Sequence, residues 1–511
     1  MHITPINKMM PLSSYFIIAL LFSFTSSADI QENFVQCLYN YPQNATSISK
    51  VVNTQANSSY SSILQFSIQN PRFSNASSKP LVIVTPLAVS HIQATIICSQ
   101  RHGLQIRTRS GGHDYEGLSY VAKVPFVLID LINLREINVD VENSTAWVQA
   151  GATVGELYYS ISQKSTTLGF PGGVWPSMGT GGHFSGGGYG FLMRRYGLAA
   201  DNIIDAHIID VKGNVLDREG MGEDLFWAIR GGGGASFGVI VAWKLKLVPV
   251  PSTVTVQSGK PTVQAIFESM YLGGVDELIP LMQKSFPELG LVRQDCTEMS
   301  WIDSVLYIAR STSGQPREAL LNRTGIGLPF FKAKSDYVRD PIPVVGLQGL
   351  WSLFYEDEAL AAFIQFTPYG GKMDEISESE IPFPHRSGNI FHIHHLVRWQ
   401  EEGDEAAQRH VEWIRRVYTY MEAYVSKSPR AAYVNYRDLD IGVNNDGYTS
   451  YSQASIWGLK YFKNNFNRLA RVKAKVDPLN FFRNEQSIPP LKSKGRKTQI
   501  EILGAANAII K

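Results

Sequence analysis

Apolar positions in the first half of the chain follow two different periods, so both strands and helices are predicted there. Short apolar runs of strand length alternate with segments in which apolar residues recur at helical spacing. The glycine at the centre of Lys212-Gly213-Asn214 predicts a tight hairpin between two further strands. The predicted strands are residues 79–86, 104–109 and 126–131, and the predicted helices are residues 31–38, 91–102 and 222–230. Helices and strands therefore interleave along this half.

The second half has a different character. Residues 249–262 are rich in Pro, Ser, Thr and Val, and the glycine density falls beyond them, which predicts a domain boundary. Residues 492–511 show no regular period and are predicted to form a tail. Further predicted elements are strands at residues 361–366 and 390–397 and one amphipathic helix over residues 451–476, which Asp477-Pro478 would end.

Residues 1–28 are interpreted as a secretory signal peptide. An apolar run at residues 15–24 follows Lys8 and precedes the small residues 25–28, which is the order of features in signal peptides. A membrane anchor is the alternative, but the run is too short to span a bilayer. No later segment is long and apolar enough to cross a membrane, so a secreted protein is predicted.

The overall composition excludes some classes of partner. Of the 511 residues 44% are hydrophobic, enough for more than one core. The length predicts about two to four domains. Lysine plus arginine number 47 and aspartate plus glutamate 45, so there is no cationic surplus. Binding to nucleic acid or to an anionic membrane surface is therefore not expected.

The N-glycosylation sequons and the cysteines are consistent with a secreted protein. Cys37 and Cys98 are predicted to form a disulfide in an oxidising compartment, with two unlinked buried cysteines as the alternative. Cys296 would then remain as a free, buried thiol. The predicted N-glycosylation sites are Asn44, Asn57, Asn75, Asn143 and Asn322.

Glycines are concentrated in three runs, numbered here in chain order: residues 109–114, 172–190 and 230–238. Such runs let backbone N–H groups approach a pyrophosphate closely. None fits G-x-G-x-x-G, and no G-K-S or G-K-T follows, so neither the Rossmann fingerprint nor the P-loop is present in the sequence. We predict a nucleotide cofactor held on loops of another fold, with glycines that serve only tight turns as the alternative.

These runs lie in motifs that resemble the berberine-bridge-enzyme-like oxidases. The motifs are R-S-G-G-H-D at residues 109–114, G-G-H-F-S-G-G-G-Y-G at 181–190, Y-G-L-A-A-D-N-I-I-D at 196–205, M-G-E-D-L-F-W-A-I-R-G-G-G-G at 221–234 and F-F-R-N-E-Q-S-I-P-P at 481–490. The resemblance extends over nearly the whole mature chain. Within that family the chain is most similar to the cannabinoid-acid-synthase branch, through I-P-F-P-H-R at residues 381–386 and N-Y-R-D-L-D at residues 435–440.

The resemblance implies an α+β fold of the vanillyl-alcohol-oxidase type, also called PCMH-type, in a protein expected to be a monomer. Its FAD domain is split between the two ends of the chain, and its substrate domain has an antiparallel sheet covered by helices. The implied segments are the N-terminal part of the FAD domain (29–75), the FAD-binding domain (76–250), the substrate domain (251–424), the C-terminal part of the FAD site (425–491) and the tail (492–511).

FAD is the implied cofactor, covalently attached through His113. A neutral ring nitrogen of His113 would bond to the electrophilic 8α position of the flavin, and Asp114 could orient the ring. A turn histidine without such a bond is the alternative. The cofactor-binding residues implied by the resemblance are Arg109, Ser110, Gly111, Gly112, His113, Asp114, Ser119, Trp175, Ser177, Met178, Gly179, Gly181, Gly182, His183, Gly186, Gly190, Gly238, Val239 and Asn480.

The chain departs from the family pattern at three places. Trp175 replaces a cysteine that attaches FAD a second time, so single attachment is predicted, with the indole stacked beside the flavin or forcing a local rearrangement. Met178 stands where a small residue leaves an oxygen pocket, so slow reaction with oxygen is expected. Roughly forty family residues are missing near residues 257–262, more than loop variation normally absorbs.

Tyr436 matches the tyrosine that the family uses as its catalytic base. A free tyrosine titrates near pH ~10, so a cation or donor would have to stabilise the phenolate. A packed structural aromatic is the alternative. His395 is a second catalytic candidate, because the related branch has a tyrosine there. His392 and His394 share one strand face and His395 takes the other, so no metal site is predicted.

The sequence thus predicts FAD-dependent oxidation of a small secondary metabolite, either aromatic, a prenylated phenol or an alkaloid. Oxygen is the expected electron acceptor. One alternative is a flavin-binding relative without turnover, which Trp175 and the missing residues favour. The other is an extracellular carbohydrate oxidase, since this fold serves alcohols, sugars and alkaloids alike.

Overall fold

The computed structural model describes residues 27–41, 48–74, 78–257, 267–309, 315–323, 328–445 and 447–491. Nearly all of the predicted signal peptide, the predicted tail and the sequons at Asn44 and Asn75 lie outside these residues, as does most of the region of the predicted deletion. The sequon residues Asn57, Asn143 and Asn322 are exposed, as glycosylation requires.

A mainly parallel four-stranded sheet forms the first part of the structure. Its elements are β1 (Val52–Thr54), β2 (Val82–Val84), β3 (Gln105–Arg109) and β4 (Phe126–Asp130), with helices α1 (Ser27–Tyr39), α2 (Tyr60–Phe66) and α3 (Val89–Arg101). The strand order is β1-β2-β4-β3, and only β1 is antiparallel to its neighbour. A disulfide between Cys37 of α1 and Cys98 of α3 ties both helices together, as predicted.

A five-stranded antiparallel sheet follows, in the order β5-β6-β10-β8-β9, with a separate β7–β11 pair. Its elements are β5 (Ile137–Asp140), β6 (Thr145–Gln149), β7 (Leu168–Gly169), β8 (Ile203–Ile209), β9 (Val215–Leu216), β10 (Val239–Lys246) and β11 (Val248–Pro249), with α4 (Val154–Ser162), α5 (Thr180–Ser185), α6 (Met193–Tyr196) and α7 (Arg218–Ile229). Helix α4 begins at a capping box formed by Thr153 and Glu156. The β8–β9 pairing confirms the hairpin predicted at residues 212–214.

Two three-stranded antiparallel sheets lie beyond the predicted domain boundary, in the orders β13-β12-β14 and β15-β17-β16. Their strands are β12 (Val254–Gln257), β13 (Ser269–Tyr271), β14 (Cys296–Met299), β15 (Phe330–Val338), β16 (Phe363–Pro368) and β17 (Phe391–Trp399), and the helices are α8 (Val275–Ser285), α9 (Trp301–Ile308), α10 (Val344–Leu353), α11 (Lys372–Glu375) and α12 (Asp404–Met421).

Side chains alternate between the two faces of the central strand β17. Ile393 and Val397 pack into an apolar cluster with Trp413 and Val417 of α12. Because strand side chains have a period of two, His392 and His394 project from the other face, away from α12. The alternation within this strand was predicted correctly.

The single helix predicted over residues 451–476 is wrong, because the structure has two helices there: α13 (Tyr451–Phe462) and α14 (Asn465–Val476). Lys463, between them, has a left-handed backbone with φ 45°, which a continuous helix does not permit. Both helices return to the first part of the molecule. Trp457 and Phe466 belong to the same apolar core as Ile208 and Trp243 of the five-stranded sheet.

Cys296 is unpaired, as predicted, but it is partly exposed at the start of β14 rather than buried. Within the described residues, no helix has the length and apolar character that a membrane span requires.

Candidate active site

The three glycine runs, which lie far apart in the sequence, meet in space. A Cβ on Gly111 of the first run would stand 2.2 Å from the backbone nitrogen of Gly179 in the second. The N–H groups of Gly231 and Gly233, in the third run, both donate to the carbonyl of Ser185 in the second. A side chain at Gly111 would push the first two runs apart, and the bonds to Ser185 hold the third run against the second, so the three runs form one site.

The C-terminal segment lies directly on the second glycine run. The N–H of Gly188 donates to Tyr433 Oη over 2.9 Å. A Cβ on Gly186 would stand 1.9 Å from Asn435 Oδ1. Because Gly186 has no side chain, the segment that carries Tyr436 can pack directly against it.

His113 lies in the first run, where its environment keeps it neutral. Its Nε2 is 2.9 Å from Ser177 Oγ. Burial lowers the pKa of His113 to about 4. The expectation that Asp114 orients this ring is not met. Its carboxylate accepts bonds from two backbone N–H groups of its own turn and pairs with Arg437 Nε at 2.9 Å, so Ser177 is the partner of the ring.

His183 is a second neutral imidazole in this region. Its Nε2 accepts a hydrogen bond from the N–H of Gly173 over 2.9 Å. Burial, together with repulsion from a charged His113, lowers the pKa of His183 to about 4. An accepting Nε2 holds the residue in one tautomer and fixes the second run around it.

Several atoms in this region fit a bound FAD. Ser119 Oγ and Asn480 Oδ1 are buried, and within the described ranges neither has a hydrogen-bond partner. Buried polar atoms normally have partners, so each is available to a ligand. Gly182 is exposed, and no atom lies within 4 Å of where its Cβ would be. Together with the neutral ring of His113, these groups have the chemistry that a bound nucleotide cofactor requires.

Other predicted cofactor residues build the frame of the site. The buried Arg109 pairs with Asp130 at 2.6 Å, and Ser110 Oγ donates to a backbone carbonyl over 2.5 Å. Gly238 lies against the backbone of β8, where a Cβ would meet a carbonyl oxygen at 2.5 Å, and Val239 begins β10. Contacts within the protein account for the positions of these residues. Their direct contact with the cofactor stays a prediction.

The loop that carries Trp175 keeps its backbone hydrogen bonds despite the large side chain. The N–H of Met178 donates to the Trp175 carbonyl over 3.2 Å, and that of Gly155 donates to the Pro176 carbonyl over 2.9 Å. The Trp175 side chain is 44% exposed. A Cβ on Gly173 would stand 2.5 Å from the Met178 methyl group, so Met178 packs inward against this glycine. The indole is therefore accommodated, and its stacking on the flavin stays a prediction.

A stack of three rings lies where the first run, the C-terminal segment and β17 meet. Tyr115 and Tyr436 are nearly parallel, with centroids 5.3 Å apart. His394 lies against Tyr436 at 4.0 Å. Both tyrosines remain partly exposed. The stack therefore offers a partly exposed aromatic wall, which begins two residues along the chain from His113.

A chain of hydrogen bonds leads away from Tyr436. Tyr436 Oη is 2.5 Å from Tyr189 Oη, which is 3.3 Å from His392 Nδ1. Burial raises the pKa of Tyr436 well above its usual value and lowers the pKa of His392 well below its own. All three groups are therefore neutral near pH 7, and His392 Nδ1 is free to accept a proton when its Nε2 carries the other.

The structure does not bring His395, the second catalytic candidate, to this cluster. Its side chain projects to the face of β17 that packs on α12, where its Nε2 is 3.0 Å from Asp336. Asp336 also pairs with Arg430 at 2.6 Å. His395 therefore belongs to a buried ionic cluster behind the sheet, and His394 and His392 occupy the side that faces Tyr436. No metal-binding group of His, Cys, Asp or Glu occurs among the described residues.

Three residues of the site were not predicted from the sequence. Tyr115 directly follows the first motif, Tyr189 lies inside the second, and Arg437 directly follows Tyr436. Their position beside predicted site residues was the available signal. Their contacts depend on loops that meet only in the folded chain.

The buried histidines predict how stability depends on pH. Burial lowers the pKa of His113 and His183 to about 4 and that of His394 to about 3, against 6.5 in the unfolded chain. The unfolded state then binds more protons below pH 6.5, so the free energy of unfolding should fall as the pH drops from 6.5 towards 4. Urea unfolding at several pH values measures this. A His394→Gln variant should depend less steeply on pH, and equal slopes would contradict the explanation.

Comparison with known proteins agrees with this geometry. A family described as FAD binding domain matches residues 80–218, and one described as berberine and berberine like matches residues 432–489. Cannabidiolic acid synthase-like 2 of Cannabis sativa is 50% identical over 518 residues, covering 91% of this chain and 94% of its own. Tetrahydroberberine oxidase of Berberis wilsoniae is 49% identical over 515 residues, covering 92% and 96%.

The structure of Phl p 4, a grass pollen allergen with glucose dehydrogenase activity, superposes with a TM-score of 0.84 at 43% identity. The match covers 90% of this chain and 100% of the allergen. The alignment with the Cannabis relative spans 518 positions, but only 91% of the 511 residues of this chain take part in it. Some of those positions are therefore gaps in this chain, where the relative has additional residues. The predicted fold and FAD as the cofactor are thereby confirmed, whereas attachment through His113 stays a prediction, and the chain belongs to the berberine-bridge-enzyme-like family of FAD-linked oxidoreductases.

Proposed function

We propose that this enzyme oxidises a small aromatic secondary metabolite, such as a phenol, a prenylated phenol or an alkaloid, with FAD attached through His113. The stack of Tyr115, Tyr436 and His394 carries the proposal, because a flat substrate gains from offset stacking on such a wall. The relative from Berberis wilsoniae is named as an oxidase of tetrahydroberberine, which supports a substrate of this kind.

The polar groups of the wall favour an aromatic substrate over a sugar. Tyr189 already bonds to Tyr436 and His392, and Tyr115 Oη is 3.5 Å from His394 Nε2. These hydroxyl and ring nitrogen atoms are engaged with one another. Few remain to bind the many hydroxyl groups of a carbohydrate, whereas the exposed parts of Tyr115 and Tyr436 offer aromatic surface.

The residues around His113 would hold the cofactor. Ser177 occupies Nε2 of the neutral ring and leaves Nδ1 for the covalent bond. Backbone N–H groups of the glycine runs would bind the pyrophosphate, and Ser119 and Asn480 would supply further polar contacts. FAD, when bound, supplies the acceptor for the hydride that leaves the substrate.

Tyr436 would take the substrate proton without becoming a free phenolate. As Tyr436 Oη accepts that proton, its own proton would pass to Tyr189, and the proton of Tyr189 would pass to His392 Nδ1. One proton leaves the substrate and one arrives at His392. This route replaces a buried phenolate at residue 436 with a charged ring at His392, which burial also disfavours, so His392 would hold the proton only during turnover.

Oxygen is the proposed electron acceptor, with slow reoxidation. Met178 packs inward against Gly173, beside His183, and fills space that a smaller side chain would leave for oxygen. Both an oxidase and a dehydrogenase occur among the similar proteins, so either acceptor chemistry fits the family.

The second candidate function is carbohydrate oxidation, which the similar grass pollen allergen with glucose dehydrogenase activity favours. A flavin-binding relative without turnover is the third. Anaerobic mixing of the purified protein with phenols, alkaloids and reducing sugars separates the three. Bleaching of the flavin absorbance by the aromatic panel alone is expected. Bleaching by sugars alone would assign the second function, and no bleaching at all the third.

Secretion as a monomer is also part of the proposal. The Cys37–Cys98 disulfide and the exposed sequons at Asn57, Asn143 and Asn322 support an oxidising, extracellular compartment.

A further inference from the structure

We propose that Arg437 and Lys332 are positioning residues, which clamp the loop of Tyr436 to the loop of His113 and thereby set the phenol relative to the flavin. This inference rests on the proposed function. The clamp has two ionic rungs, which involve the residues on both sides of Tyr115 in the sequence and the two residues that follow Tyr436. Neither loop is part of a helix or strand at these residues, so the regular backbone bonds do not fix them.

The first rung joins the residue after His113 to the residue after Tyr436. Arg437 Nε is 2.9 Å from Asp114 Oδ2, and both side chains are less than a fifth exposed. Arg437 Nη1 also lies 3.4 Å from Gln486 Oε1. The rung therefore ties the anchor of the flavin to the catalytic loop through adjacent residues.

The second rung joins the residue after Tyr115 to the C-terminal loop. Lys332 of β15 donates to Glu116 in a short contact and to Asp438 Oδ1 over 2.9 Å. The three side chains are at most 4% exposed. This rung belongs to a larger buried network, because Glu116 also pairs with Arg72 at 2.7 Å and Asp438 also pairs with Lys334 at 2.5 Å. Several ion pairs therefore hold it in place.

The two rungs share a consequence for Tyr436. Asp114 and Glu116 flank Tyr115, while Arg437 and Asp438 follow Tyr436. Fixing both neighbours of Tyr115 and the residues after Tyr436 fixes the offset of the two rings, whose planes differ by 7°. Misplacement by about 1 Å can cost about a hundredfold in rate, so this offset matters for catalysis.

Arg437→Met tests the clamp on its less buried rung. We expect kcat to fall about tenfold or more with KM within about twofold, because the aromatic wall remains but its alignment is lost. The fraction of chains with SDS-resistant flavin fluorescence should fall to less than half of wild type, because the neighbour of His113 is released. Arg437→Lys keeps the charge and should recover most of both values.

Arg317→Met is the matched control. Arg317 pairs with Asp303 through two contacts of 2.9 Å, and this more exposed ion pair lies far along the chain from Tyr115 and Tyr436. It should leave kcat and attached flavin unchanged. Arg437→Met with wild-type kcat and attached flavin, or equal losses in the control, would overturn the clamp alone. A wild-type chain without covalent flavin would overturn the proposed function and the clamp with it.

Discussion

Replacing Tyr436 with phenylalanine should lower kcat about 10²- to 10⁴-fold, the usual contribution of a positioned proton acceptor. The ring of residue 436 would still pack against both Tyr115 and His394, so substrate binding should change little. The hydroxyl that starts the chain to Tyr189 and His392 would be lost. Steady-state kinetics with an aromatic substrate that bleaches the flavin measures the effect.

Tyr418→Phe is the matched control for this change. The Tyr418 hydroxyl is buried without a partner among the described residues, and its ring lies over Arg430 behind the sheet. Its removal should leave kcat within about twofold. A Tyr436→Phe enzyme as fast as wild type would exclude Tyr436 as the proton acceptor.

Replacing His113 with alanine should abolish covalent flavin. The imidazole that the proposed attachment requires is absent in this variant, and no cysteine occupies position 175 to form a second link. Flavin fluorescence of the denatured protein on an SDS gel should therefore disappear. Flavin bound without a covalent bond is still expected in the native variant, since the glycine runs and Ser119 remain.

His207→Ala provides the comparison for that experiment. His207 stacks on Trp147 on the five-stranded sheet, with ring centroids 4.6 Å apart, and its loss should leave the fluorescent band intact. A bright band from His113→Ala would mean that another residue carries the flavin.

The elements whose signals are local were predictable from the sequence. Alternation along β17 and the helical period of α3 appear in the apolar pattern itself, and the structure places both where the pattern predicted. The break at Lys463 was not predictable, because both helices continue one amphipathic pattern and only the left-handed backbone at that residue separates them. The partial exposure of Cys296 was not predictable either, because it depends on which side chains pack against the short strand β14.

The candidate site was predictable only in part. Motifs identified His113 and Tyr436, since each stands at a fixed place in a recognisable stretch. The strand period placed His395 on the opposite face from His394 but could not say which face meets Tyr436. That face is decided by the packing of α12 on Ile393 and its neighbours. The pairing of Asp114 with Arg437, rather than with the His113 ring, likewise needs the folded chain.

Trp175, which replaces the second flavin-attaching cysteine of the family, affects how the flavin is expected to react. Tryptophan cannot form the second covalent bond to the flavin, so under the proposed function His113 and the glycine runs would have to hold the flavin in position. We expect a flavin with one covalent bond fewer to accept hydride less readily. Turnover should therefore be slow even with a good substrate.

The proposed chemistry depends on one FAD that is covalently attached to His113. Peptide mapping by mass spectrometry of the proteolysed wild-type protein locates this bond. We expect a single modified peptide, containing His113 and carrying the mass of one FAD, while the peptide containing Trp175 is unmodified. Flavin mass on any other peptide, or fully unmodified peptides from protein that is folded and yellow, would contradict it.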